Sequence, residues 1–144
     1  MEAVTGADYT LLLSVGFKLD PTTLRPTPSN CVVRQSVPQL AVLRRATLFI
    51  THGGMNSISE SLALGVPMLV YPRQAEQAIV ARRVVELGAG RLIRDREATP
   101  EGIRDTIGAV LAGGCRDRAR SVADSFQQAG GAPAAADAVE ELID

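Results

Sequence analysis

Short apolar runs alternate with amphipathic stretches along most of the chain. The runs predict strands at residues 9–15, 31–34, 47–50, 67–71 and 89–93. Helices are predicted up to Gly6, around Leu40 and Leu43, around Ile58 and Leu62, from Glu76 to Leu87, after Thr99, and near residues 115–128 and 133–143. Strands that alternate with helices in this way indicate βαβ units. We therefore predict an α/β fold, a Rossmann-like parallel sheet with helices on both faces.

Local signals sharpen three of these predictions. Residues 9–15 form a continuous apolar run, which is typical of a strand covered on both faces. Residues 16–30 hold three prolines and are predicted to be a loop. Thr99 can cap the next helix, with Pro100 at its first position. The buried stripe of that helix is predicted to contain Ile103, Ile107, Val110 and Leu111.

The strand at 47–50 leads through Thr51 and His52 into two glycines and a helix. Gly53 and Gly54 allow the backbone to approach a ligand closely, because they carry no Cβ. The start of the helix offers backbone N–H groups and a positive dipole end, which favour an anion such as a phosphate. Asn56, Ser57 and His52 add side-chain donors. These features predict a diphosphate site, although Ser57 and Glu60 also match a capping box that would only satisfy the first helical turn.

Two further segments are predicted to lie beside this turn. Ligands of open parallel sheets bind outside the carboxyl ends of the strands. Residues 36–39, 51–57 and 72–77 each follow a predicted strand. We therefore expect the three segments to share one edge of the sheet and to form a binding cleft. Arg73, within the third segment, is expected to be a surface residue rather than a phosphate ligand.

Composition and charge argue against several classes of protein function. A chain of 144 residues with 46% hydrophobic and 22% charged residues suits one globular domain. The net charge is −1 and there is no basic block, which argues against nucleic acid or membrane-surface binding. No apolar run reaches the roughly 20 residues that span a bilayer, and the start does not resemble a signal peptide. Cys31 and Cys115 are expected to be reduced thiols of a cytoplasmic protein, and with one histidine a structural zinc site is not expected.

The motifs taken in order resemble those of one enzyme family. They are Val37-Pro38-Gln39, His52-Gly53-Gly54-Met55-Asn56-Ser57-x-x-Glu60, Gly65-Val66-Pro67 and Pro72-x-x-x-Glu76-Gln77. This series resembles the nucleotide-sugar signature of GT-B-fold glycosyltransferases of the bacterial macrolide and antibiotic type, which are related to UDP-glycosyltransferases. The likeness runs from about Tyr9 to Ile93. It implies that residues 1–144 are a single donor-binding domain, the C-terminal half of a two-domain enzyme.

The resemblance also implies roles for individual residues. His52 would contact the diphosphate, with further phosphate hydrogen bonds from Gly54, Asn56 and Ser57. Glu60 would bind the ribose, and Val37 and Gln39 would frame the base. Glu76 and Gln77 would hold the donor sugar. The resemblance implies no catalytic residue, metal ion or cofactor in this domain. Without the motif, His52 would be a structural histidine and the Glu76-Gln77 pair a solvated helix start.

By the same resemblance, the full enzyme would be an inverting hexosyltransferase acting on a hydroxyl of a small natural product. Its catalytic base would lie in an N-terminal acceptor domain, so this chain alone would bind nucleotide weakly and transfer nothing. The donor would be a UDP-sugar or a TDP-sugar. The choice between uridine and thymidine stays open, because Ser36 stands where many relatives have the tryptophan that stacks on the base. The family's first strand is missing, from a position between residues 9–15 and 47–50. The two neighbouring strands would then close up on each other, or another chain would fill the gap, or the sheet would be rearranged.

Two other functions fit the same motifs. The chain could be the natural donor subunit of a two-chain transferase, or a non-catalytic nucleotide-sugar binding module. Transfer activity on adding an acceptor domain would argue against the module. A homodimer through the face that would meet the acceptor domain is a further expectation.

Overall fold

A computed structural model describes residues 1–142. In this range the strands are β1 (Leu11–Ser14), β2 (Cys31–Arg34), β3 (Phe49–Thr51), β4 (Met68–Val70) and β5 (Gly90–Leu92). The α-helices are α1 (Gln39–Leu43), α2 (Met55–Ala63), α3 (Ala75–Glu86), α4 (Pro100–Ala112), α5 (Cys115–Gln128) and α6 (Gly131–Glu140). Short 3₁₀ helices lie at Glu2–Val4, Pro21–Leu24 and Asp95–Glu97.

These elements confirm most of the predicted order. Each predicted strand is present, though four of the five are shorter than predicted. The predicted helix tail near Gly6 is a single 3₁₀ turn, and the predicted loop contains a second one, where the Asp20 carboxylate accepts a hydrogen bond from Thr22 N. The last helix begins at Gly131 rather than 133. Residue 143, its predicted end, lies outside the described residues.

All strand pairs are parallel, as predicted, but the described strands form two sheets. One contains β1 and β2, with Leu11 opposite Cys31. The other has the order β3-β4-β5. β1 and β3 therefore do not pair with each other.

Helices cover both faces of the three-stranded sheet, because the buried side chains of β4 alternate between two separate apolar clusters. Met68 and Val70 are fully buried in a cluster with residues of α2, α3 and α5. Leu69, between them, is fully buried in a second cluster with Ile107 of α4. Successive side chains of a strand point to opposite faces, so the two clusters lie on opposite sides of the sheet.

The second cluster also connects the two sheets. It contains Cys31 of β2 together with Leu69 of β4. The N-terminal turn belongs to this cluster and is held by Asn30, whose side-chain amide donates to the carbonyls of Val4 and Tyr9. The β1–β2 pair is therefore attached to the other sheet through shared apolar packing rather than through strand pairing.

Two burial predictions are wrong. The strand at 9–15 is not covered on both faces, because Leu12 is 38% exposed and the alternate residues of β1 face solvent. β1 packs mainly against β2, whereas β4 lies between two strands and under helices. Leu111 is 43% exposed, while Ile107 and Val110 of the same stripe are buried as predicted. Among the helices of residues 1–142, none is both long and apolar enough to cross a bilayer.

Candidate functional site

The turn that follows β3 requires glycine. Gly53 has a φ of +94°, in the region that side chains rarely adopt. A Cβ at this position would lie 3.0 Å from Val70 Cγ1 and 3.3 Å from the carbonyl oxygen of Gln77. The Gly53 N–H donates to Thr51 Oγ1 at 3.3 Å, and this hydrogen bond within the turn stabilises it. The backbone after β3 is thus pressed directly against the beginning of α3.

The start of α2 leaves backbone donors unused. Gly54 is its N-cap and provides no side-chain cap, and the first intrahelical bond runs from Ile58 N to Gly54 O at 3.1 Å. The N–H groups of Met55, Asn56 and Ser57 therefore have no acceptor within the helix. The capping-box alternative is wrong, because Ser57 is the third residue of the helix rather than its cap. This helix start retains the donors that an anion needs.

Gln39 connects α1 to α2 inside the predicted site. Its amide nitrogen donates to Glu60 Oε2 at 2.6 Å and to Ser57 Oγ at 3.2 Å. All three side chains are partly buried. Gln39 lies 18 residues before Ser57 and 21 before Glu60, so the fold brings it to them. The other carboxylate oxygen of Glu60 accepts no hydrogen bond from the described residues.

Gln77 connects the third predicted segment to the same turn. A Cβ added at Gly53 would lie 3.3 Å from the backbone carbonyl oxygen of Gln77 and 3.6 Å from its Cβ. Its side-chain oxygen accepts from Arg73 N at 2.8 Å. His52 is exposed, and its ring lies beside Gly54, where an added Cβ would be 2.9 Å from Nε2. Thus Gln39 contacts Ser57 and Glu60 of α2, and Gln77 lies against the turn at Gly53.

The remaining predicted site residues lie in the same segments but do not take part in the hydrogen bonds of Gln39 and Gln77. Asn56 and Glu76 are exposed in the first turns of α2 and α3, and Val37 is half-buried before α1. None of them makes a side-chain hydrogen bond with another described residue. A cavity of about 810 Å³ lies elsewhere, between α2, α3 and α5, and no predicted site residue lines it. The ligand roles of the predicted residues thus remain predictions.

A cluster at the next strand ends was not predicted. Tyr71 follows β4, and its hydroxyl donates to Asp95 Oδ1 at 2.8 Å. Arg73 Nη1 donates to the same hydroxyl at 2.7 Å, and the guanidinium carbon lies 5.1 Å from the centre of the Tyr71 ring. Asp95 follows β5, so the rule that selects residues after strands could have included it.

Comparison with known proteins identifies the family. Residues 1–144 match the family model described as "Erythromycin biosynthesis protein CIII-like, C-terminal domain". The chain belongs to this family. The match covers the predicted turn, the helix start and both glutamines, and it confirms the resemblance stated from the motifs.

Curated relatives and solved structures agree with this assignment. The NDP-glycosyltransferase YjiC of Bacillus subtilis (strain 168) is 39% identical over 144 residues, which are 99% of this chain and 37% of that protein. The oleandomycin glycosyltransferase of Streptomyces antibioticus is 37% identical over 90% of this chain and 30% of its own length. The crystal structure of CalG4, the calicheamicin glycosyltransferase, has a TM-score of 0.88 and 33% identity over 97% of this chain and 36% of that protein. The chain therefore has the fold of a C-terminal glycosyltransferase domain and spans 30–37% of the length of these relatives.

Proposed function

We propose that this domain binds the nucleotide-sugar donor of a glycosyltransferase at the carboxyl ends of β2, β3 and β4. The observation that carries the proposal is the contact of Gln39 with Ser57 and Glu60 beside the uncapped start of α2. This contact supports the proposal because a carboxylate suited to ribose hydroxyls would then lie next to N–H groups suited to a diphosphate. The relative YjiC is named an NDP-glycosyltransferase, which supports a nucleoside diphosphate donor.

The proposed chemistry is inverting transfer of a hexose to a hydroxyl of a small natural product. Negative charge grows on the diphosphate as the bond to the sugar breaks. The N–H groups of α2, aided by His52 and Ser57, would stabilise that charge without a bound metal ion. A base from an acceptor domain would take the proton of the attacking hydroxyl. Glu76 and Gln77, at the start of α3, would hold the sugar hydroxyls.

Titration with nucleotide tests the binding site. We expect UDP or TDP to shift the amide resonances of His52, Asn56 and Ser57 in NMR spectra of this chain, with residues of α6 unaffected. The helix α6 is a suitable internal reference because its described residues are exposed and distant in sequence from the site. Shifts confined to other regions, or no saturable shift with either nucleotide, would place the site elsewhere or remove the proposal.

Addition of an acceptor domain tests the chemistry. We expect this chain alone to transfer no sugar, because it holds the donor but no residue assigned as the base. Mixed with the N-terminal domain of a relative such as the oleandomycin glycosyltransferase, it should give product that depends on this chain and has the inverted anomeric configuration. Transfer by this chain without any acceptor domain, or a product with retained configuration, would contradict the proposed mechanism.

A further inference from the structure

A series of hydrogen bonds runs from the loop after β5 to the proposed sugar-binding residues. The Tyr71 hydroxyl donates to Asp95 and accepts from the Arg73 side chain. The backbone N–H of Arg73 in turn donates to Gln77 Oε1 at 2.8 Å. The series thus spans the carboxyl ends of β4 and β5 and ends on the first turns of α3.

The last bond of this series fixes how Gln77 can meet a ligand. An amide side chain has one accepting oxygen and one donating nitrogen. Because the oxygen faces the Arg73 N–H, the nitrogen is the group that remains for a ligand. Gln77 is therefore presented as a donor toward hydroxyl oxygens, and its orientation depends on where the Arg73 backbone lies.

The position of Arg73 depends on Tyr71 more than on the ion pair with Asp95. Arg73 and Asp95 are 3.8 Å apart, with side chains 63% and 88% exposed, and such pairs contribute little by themselves. Tyr71 differs because it is partly buried and packs against the apolar cluster that contains Leu69 and Ile93. Its hydroxyl is thus a fixed point at the edge of the core, and the guanidinium both bonds to it and lies over the ring.

We propose that Tyr71 and Asp95 are positioning residues for the donor sugar, which act through Arg73 to hold Gln77 as a hydrogen-bond donor. This inference rests on the proposed function and adds residues that no motif of the sequence includes. It predicts a separation of effects. Loss of this series of hydrogen bonds should weaken binding of the sugar. The affinity for the nucleotide should stay unchanged, because Gln39, Ser57 and Glu60 are not part of the series.

The test compares two dissociation constants for each variant of this chain. Calorimetry would measure binding of UDP and of UDP-glucose, or of TDP and TDP-glucose if the thymidine nucleotide binds better. For Tyr71→Phe, which retains the ring and removes the hydroxyl, we expect affinity for the sugar nucleotide to fall about fivefold relative to the nucleotide alone. Asp95→Ala should act in the same direction. Gln77→Ala should have a similar effect, and adding Tyr71→Phe to it should have little further effect.

Two matched controls are available in the chain. Tyr9→Phe removes the hydroxyl of a tyrosine that packs on the same cluster but makes no side-chain hydrogen bond among the described residues. Arg96→Ala removes an exposed pair with Glu97 on the 3₁₀ helix that carries Asp95. Neither should change the ratio of the two affinities.

The outcomes separate the inference from the function on which it rests. If the unaltered chain binds neither nucleotide, the proposed function fails and the inference fails with it. If nucleotide binds and Tyr71→Phe leaves the ratio unchanged, or lowers both affinities equally, the positioning role is wrong while the proposed function stands. Circular dichroism spectra matching those of the unaltered chain would show that each variant is folded.

Discussion

Replacing Glu60 by alanine is expected to lower the affinity of the domain for UDP or TDP by a factor of about 10 to 100. Hydrogen bonds to an ionised group are the stronger kind, and a ribose can use two hydroxyls on one carboxylate. One oxygen of Glu60 already accepts from Gln39 at 2.6 Å, which holds the carboxylate in place before ligand binds. Calorimetric titration of nucleotide into the variant measures the change.

Two further variants test whether the effect comes from the carboxylate of Glu60 itself. Gln39→Ala should cost less affinity than Glu60→Ala, because it leaves the carboxylate present, though less constrained, and removes only a neutral side chain beside the base. Glu86→Ala is the matched control, since Glu86 is an exposed carboxylate on α3 whose one partner among residues 1–142 is Arg83 at 3.0 Å. Equal affinities for the Glu60 variant, the Glu86 variant and the unaltered chain would show that the ribose is not bound at Glu60.

Element order could be predicted from the sequence because each segment carries its own signal. The helix α5 was predicted at residues 115–128 and lies at those residues, since glycines precede it and an amphipathic pattern fills it. Thr99 caps α4 as predicted, accepting from Gly102 N at 3.1 Å. The turn after β3 could be predicted in the same way, because the conformation at Gly53 favours glycine.

Features that depend on distant segments could not be predicted in the same way. The apolar run at residues 9–15 indicates a strand but says nothing about whether a neighbour is present, and Leu12 is exposed. The capping box at Ser57 and Glu60 was a reasonable local alternative. A tertiary partner, Gln39, uses both side chains instead. The bond between Tyr71 and Asp95 joins residues 24 apart, and neither residue belongs to a motif.

The close approach of Gly90 to the neighbouring strand gives the second large prediction. Gly90 begins β5 and is buried, and a Cβ there would overlap the carbonyl oxygen of Met68 and lie 2.9 Å from Val84 Cγ1. Met68 is the parallel partner of Gly90, so the clash falls on the pairing of β4 with β5. Because backbone cannot move aside as a side chain can, we expect Gly90→Ala to reduce the free energy of unfolding by about 3 kcal/mol.

Gly108→Ala provides the control of opposite sign. Gly108 lies on the exposed side of α4, and a Cβ there would meet no atom within 4 Å. Alanine in a helix interior is more favourable than glycine, so this variant should gain about 0.5–1 kcal/mol. Urea unfolding followed by circular dichroism would measure both changes. A Gly90→Ala variant as stable as the unaltered chain would show that β5 does not approach β4 this closely.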